Sequence, residues 1–166
     1  HLCDRRQRQM CIRDSTYAVK GLQTGQIQFL YAPTHLNPTY EYGVTFERGT
    51  AVTYGDRKQI FISGTASIDN QGEIMYPGDI LKQTERMLEN IDTLLQEAGG
   101  GLQDIMQAIV YLRDPADYVV VKQYIESRYP SFLHLIVHAP VCRPGWLIET
   151  ECIAVIPADA PQYAYL

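Results

Sequence analysis

Tryptophan is nearly missing from this sequence: 166 residues contain one, Trp146. Cysteine is sparse as well. Cys3, Cys11, Cys142 and Cys152 show neither CxxC spacing nor paired histidines, so the pattern supports no zinc site and no disulfide framework, and free thiols are expected. No apolar run approaches the roughly 18 residues of a membrane span, and no charged start, apolar run and cleavage site occur in order. A cytoplasmic protein without a membrane partner is the expectation. Positive charge is also short, since 14 Lys and Arg against 19 Asp and Glu leave a net charge of −5. A sequence-independent grip on nucleic acid needs a clustered basic face, and this balance argues against nucleic acid as a partner.

What remains is an ordinary globular composition, 46% hydrophobic and 20% charged, long enough to bury one core. The segment 1–15 follows neither a helical nor a strand period and reads as a disordered or irregular arm. The segment 16–45, rich in Gly, Pro, Asn and Tyr, reads as an irregular extension in which "GQIQFLYA" could form a short strand. Residues 46–157 carry the domain, and 158–166 form a tail. Within the domain, "GTAVTY", "QIFISGTASI" and "GEIMY" are separated by turn signals and predict a meander of three strands. From Ile80 the period changes: Thr84, Met87, Leu88, Ile91, Leu94, Leu95 and Ala98 make one helical stripe, with Asp79 as N-cap and Gly99 as stop.

"IMQAIVYL", Ile105 to Leu112, is continuously apolar and predicts a strand covered on both faces. Asp114 and Pro115 start a second helix, with Tyr118, Val121, Tyr124 and Ile125 as its stripe and Pro130 as its end. "LHLIVHA" and "WLIETECIAVI" are two further strands, joined by the loop "PVCRPG". The order βββ, α, β, α, ββ predicts an α+β fold, a mixed sheet of about six strands covered on one face by two helices.

The last strand raises the functional question. Ile148, Thr150, Cys152, Ala154 and Ile156 point one way and belong under the helices; Leu147, Glu149, Glu151, Ile153 and Val155 point the other. That second set mixes carboxylates with aliphatics on a face the helices cannot cover, and subunit association covers it most simply. Each carboxylate is either a solvated rim group or a group held near apolar surface, where desolvation raises its proton affinity and suits it to acid–base work.

The strings "ISGTASIDNQGEIMYPGDILKQTERMLENIDTLLQEAGG", "IVYLRDPADYVVVKQYIESRYP" and "GWLIETECIAV" resemble the Rid/YjgF family of reactive-intermediate deaminases, also named endoribonuclease L-PSP and translation initiation inhibitors. The resemblance runs from about Thr50 to Ile156. It implies a chorismate-mutase-like fold, a homotrimer whose sheets form a central barrel, and ligand clefts between subunits. It further implies hydrolysis of an enamine or imine bearing a carboxylate, with Glu149 positioning the attacking water and Gly64 and Ser63 lining the ligand through the SG motif.

Two positions depart from the family pattern. His134 stands where the carboxylate-clamping Arg is found, and Phe46 replaces a pocket Tyr. A His carries only part of a charge at neutral pH and lacks the bidentate fork of Arg. The strings "SGTASI", "PGD", "FERG" and "PVCRPGW" also resemble the C-terminal domain of chorismatases and pteridine-dependent deoxygenase-like proteins. That resemblance implies an enolpyruvyl-ether hydrolase with Glu149 as proton donor, Cys142 beside it, and Arg143 and Arg48 on substrate carboxylates. It would account for a sequence that opens on His1 and for residues 1–45 as the remnant of a preceding domain. A non-catalytic trimeric binding module using the same cleft is the third reading.

Arg143, between Cys142 and Pro144, is a loop charge or an anion clamp; the flanking prolines and Trp146 favour the clamp. His134 gains a role if the last two strands form a hairpin that places it across from Glu149. Cys142 is a nucleophile or a small hydrophobe, and the second reading prevails without a neighbouring base. Trp146 reads as a packing anchor, and His138 as structural. No metal or organic cofactor is expected, because a polarised imine or enol ether needs only a placed proton and water.

Overall fold

The computed structural model describes residues 18–42 and 46–165. Six strands form one mixed sheet: Ile27–Leu30 (β1), Gly49–Thr53 (β2), Arg57–Ala66 (β3), Ile105–Leu112 (β4), His134–His138 (β5) and Ile148–Pro157 (β6), in spatial order β1-β2-β3-β6-β4-β5. Helices Ile80–Glu97 (α1) and Tyr118–Arg128 (α2) cover one face. This is the α+β architecture the hydrophobic periods predict.

Both helix starts follow the local chemistry. The Asp79 side chain accepts from the Lys82 N–H at 3.0 Å. Asp114 accepts from the Ala116 N–H and caps a short 3-10 turn, Pro115–Asp117, that leads into α2. At the other end of α1, Gly99 takes φ +89°, a left-handed turn that favours glycine, and the Gly100 N–H returns to the Leu95 carbonyl. The α1 stripe is buried as predicted, and two polar residues in phase with it, Gln83 and Asn90, are buried too. On α2 only Val121 and Ile125 are fully buried, whereas Tyr118 is exposed.

Four expectations need correction. The run "GEIMY" forms no strand; it contributes a single bridge, Ile68 to Ile74. The sixth strand comes instead from "GQIQFLYA", whose Ile27–Leu30 pairs antiparallel with β2. This strand is fastened by the far end of α1, where the Glu97 carboxylate accepts from the Tyr31 and Ala32 N–H groups at 2.7 and 2.8 Å. The segment expected to be an irregular extension thus supplies part of the sheet. The tail is tied to the sheet: Gly55 donates to the Ala164 carbonyl, and the Ala158 and Ala160 N–H groups donate to the β2–β3 turn.

The third correction concerns β4, whose burial alternates: Met106 is 56% exposed and Gln107 is exposed, while Ile105, Ala108, Val110 and Leu112 are buried. The fourth matters most for function. β5 and β6 do not form a hairpin. The unit β4–α2–β5 is a strand–helix–strand crossover, which returns β5 parallel to β4. β6 then pairs with the other edge of β4 and with β3, so β4 separates the two strands.

Across the face without helices runs an apolar row: Phe29 on β1, Phe61 on β3, Ile153 on β6, Ile109 on β4 and Leu135 on β5. The registers run from Phe29 through Thr50 and Phe61 to Ile153, which stands opposite Gln107; the row then steps along β4 to Ile109, opposite Glu151, and meets Leu135. Phe29 is 49% and Leu135 61% exposed. Among the described residues, no helix is long and apolar enough to cross a membrane.

Candidate active site

Glu149 lies on β6 on this open face. The alternation of the strand puts Ile148 and Thr150 into the core and turns Glu149 and Glu151 outward, as the sequence predicts. Its neighbour on β3 is a bulge: the register shifts between Ile62 and Thr65, so Ser63 and Gly64 leave the regular ladder. Gly64 lets the Glu149 carboxylate lie close against the bulge. A Cβ on it would collide with the Glu149 Oε1 and lie 3.3 Å from Cδ. The bulge is held open by its own contacts, with the Ser63 N–H donating to the Arg48 carbonyl at 3.1 Å and Ser63 Oγ to the Glu47 carbonyl at 2.6 Å.

On the other side, β4 places Tyr111 in register with Glu149, and the Tyr111 hydroxyl donates to Glu151 Oε1 at 2.9 Å. Burial pushes the Glu149 carboxyl up to about 7; the negative charge of Glu151 adds to this, and a hydrogen bond from the Cys142 backbone opposes it. Tyr111 is shifted upward as well, by burial first and then by its bond to Glu151. The two carboxylates therefore differ in character: Glu151 accepts from the Tyr111 hydroxyl, whereas for Glu149 desolvation outweighs its one backbone donor and raises its proton affinity toward neutrality.

The loop after β5 closes this corner. Cys142 contributes its backbone to Glu149. The Arg143 guanidinium lies over the Trp146 ring, 5.2 Å from its centre. Gln83 on α1 donates to the Gly145 carbonyl at 3.0 Å and accepts from the Leu147 N–H at 3.0 Å. Arg113, just past β4, donates to the carbonyls of Val141 and Trp146 at 2.7 Å each and to that of Arg143.

The structure brings together Glu149, Gly64, Ser63 and the backbone of Cys142, and the adjoining loop carries Arg143. It does not bring His134 to them. That residue pairs with Ala108 on β4, and its Nδ1 is 2.8 Å from the Phe132 carbonyl oxygen. Its side chain shares a strand face with Ile136, which packs on the core, and so points away from the face of Glu149. Arg48 is 6% exposed, and its Nε and Nη2 donate to Asn37, which turns this guanidinium toward the chain itself. The other cysteine of the domain, Cys152, is buried, and burial pushes its thiol up to about 12.

Sequence reasoning missed Tyr111, Arg113, Gln83 and Asn90. A signal existed for two of them, because a polar residue in phase with an apolar helical stripe must find buried partners. Asn90 finds the carbonyls of Ala66 and Ile68 at 3.0 Å, just beyond the bulge. Two depressions, of about 390 and 360 Å³, lie elsewhere, beside Tyr129 and beside His138; Glu149 lines neither. Among the described residues, no group of three or more His, Cys, Asp or Glu side chains is placed to hold a metal.

Comparison with known proteins adds the following. Residues 49–156 match the family model described as endoribonuclease L-PSP. The chain is 31% identical over 97 residues to the 3-aminoacrylate deaminase RutC of Acinetobacter baylyi, which covers 57% of this chain and 77% of that protein. It is 35% identical over 97 residues to a RutC family protein of Pyrococcus abyssi, covering 57% and 76%. Among solved structures, the E. coli YjgF gene product superposes with a TM-score of 0.62 at 21% identity, covering 77% of this chain and 98% of that one. E. coli TdcF with bound serine gives 0.63 at 21%, covering 78% and 98%. At these identities the two structures show the fold.

Proposed function

Because the chain belongs to the endoribonuclease L-PSP family, also called Rid/YjgF, we propose that it is a deaminase acting on a small enamine or imine that carries a carboxylate. The observation that carries this reading is the Glu149 carboxyl, pressed against Gly64 on a desolvated face and lifted to about 7. A general acid–base works best with its proton affinity near the operating pH. The RutC relative, named for deamination of 3-aminoacrylate, supports the substrate class.

In the proposed reaction the enamine enters as its imine tautomer. Ionised Glu149 takes a proton from water as the water oxygen bonds to the imine carbon. With the imine nitrogen protonated, this addition gives a neutral carbinolamine; Glu149 returns its proton to the nitrogen, the C–N bond breaks as ammonia leaves, and the hydroxyl proton passes to the Glu149 carboxylate as the carbonyl forms. Arg143 is the candidate to hold the substrate carboxylate, with Ser63 and Gly64 forming the adjacent wall. Within one chain His134 cannot take part; it could reach a Glu149 site only across a subunit boundary, from β5 at the sheet edge. The apolar row from Phe29 to Leu135 supports a homotrimer that covers this face.

The test is ammonia release from 3-aminoacrylate and from 2-iminobutyrate, each generated in situ, with and without protein. Acceleration that Glu149→Gln abolishes is the expected result. Pyruvate release from chorismate in its place would overturn the reading, and so would tight ligand binding without turnover on any of these compounds.

A further inference from the structure

Arg113 has its charge satisfied by the main chain. Its guanidinium pairs with no carboxylate among the described residues; it donates only to main-chain carbonyls, those of Val141, Arg143 and Trp146. The guanidinium spreads its donors over three nitrogens in a rigid plane, whereas the three donors of a lysine radiate from a single nitrogen. Its own backbone N–H also donates, to the Leu147 carbonyl at 3.0 Å. One side chain and one amide thus fix the arc from Val141 to Leu147, and Gln83 secures the same arc from the helix side.

The consequence lies in a single peptide unit. The Val141 carbonyl and the Cys142 N–H belong to the same planar group, and in a trans unit they point in opposite directions. Arg113 holds the carbonyl end; the Cys142 end meets the Glu149 carboxylate. Building on the deaminase reading above, we propose that Arg113 is a positioning residue: by fixing the Val141–Cys142 peptide it aims the Cys142 N–H at Glu149 and holds Arg143 on its Trp146 platform.

Because Trp146 is the sole tryptophan, its fluorescence reports the arc directly and independently of turnover. In Arg113→Met, with far-UV circular dichroism retained, Trp146 emission shifts to the red and acrylamide quenching rises. Glu149, followed by 13C-carboxyl NMR, titrates at higher pH, since a donor to its ionised form has been lost. Ammonia release falls on the order of 10- to 100-fold, as for a misplaced reacting group, and the pH limb of kcat moves upward with the Glu149 midpoint. Arg113→Lys, which keeps charge without the fork, lies between. If Arg113→Met does not fold, Arg113→Lys is judged by the same two spectroscopic readings. Unchanged Trp146 emission and an unchanged Glu149 midpoint in a folded variant overturn the proposal. If the wild-type protein releases no ammonia, the deaminase reading fails by itself, and fluorescence and titration still decide the role of Arg113.

Discussion

At the scale of single residues, Glu149 ties the proposed chemistry to stability with a definite sign. Its folded carboxyl titrates near 7, above the ordinary carboxylate range, so the folded state binds more protons than the unfolded one between those values. Stability therefore falls as pH rises from about 4.5 to about 7, and the penalty is complete above that. A displacement of this size corresponds to roughly 3 kcal/mol. Glu149→Gln should abolish deamination, raise the melting temperature at pH 8 and leave it nearly unchanged at pH 4, which calorimetry at the two pH values checks. Gly64→Ala tests the neighbouring contact: its methyl displaces the carboxylate, so kcat should fall by about 100-fold, with no comparable loss in denaturant stability. The outward placement of Glu149 was legible in the strand alternation of "LIETECIAV". Its shifted proton affinity was legible only as a possibility of such a face, because the bulge at Ser63 and the Tyr111–Glu151 bond depend on which strands are neighbours.

Among the elements, the helices were the most legible, since a period near 3.6 and the Asp79 and Asp114 caps are local chemistry. The strand order was not. Reading the last two strands as a hairpin placed His134 beside Glu149, whereas the crossover through α2 sends β5 to the edge. Chain adjacency misled because a helix intervened between β4 and β5. Pairing also explains why the strand in "GQIQFLYA" was legible only as a possibility. Ile27–Leu30 is short and half exposed, and its place depends on Glu97, distant in sequence, accepting from Tyr31 and Ala32. Gln83 shows the same long-range economy, joining α1 to Tyr76, Gly145 and Leu147. Gln83→Leu fills the space but strands these buried groups, and should cost about 1–3 kcal/mol in urea unfolding while increasing Trp146 quenching.

For the whole molecule, the proposed assembly rests on the open face. The apolar run of β4 suggested a strand covered on both sides; the chain covers one, and the other row, Phe29 to Leu135, awaits a neighbour. Leu135→Asp places a charge in that row. Native mass spectrometry should then show loss of the proposed trimer, and activity should fall with it if the cleft is shared between subunits, while monomer secondary structure persists. The kink in β3 at Ser63 and Gly64 has a consequence for how this chain can change length. Upstream of it Ile60 and Ile62 face the core, and downstream the strand resumes in a new phase. Adding one residue there would turn one half of the strand inside out, and removing one would restore a regular ladder and erase the bulge against Glu149, whereas the exposed turn at Asn70 and Gln71 has no phase to lose. A scan of single-codon insertions and deletions should find the first spot intolerant and the second permissive, so evolution is free to lengthen the molecule at its tips and not along this seam.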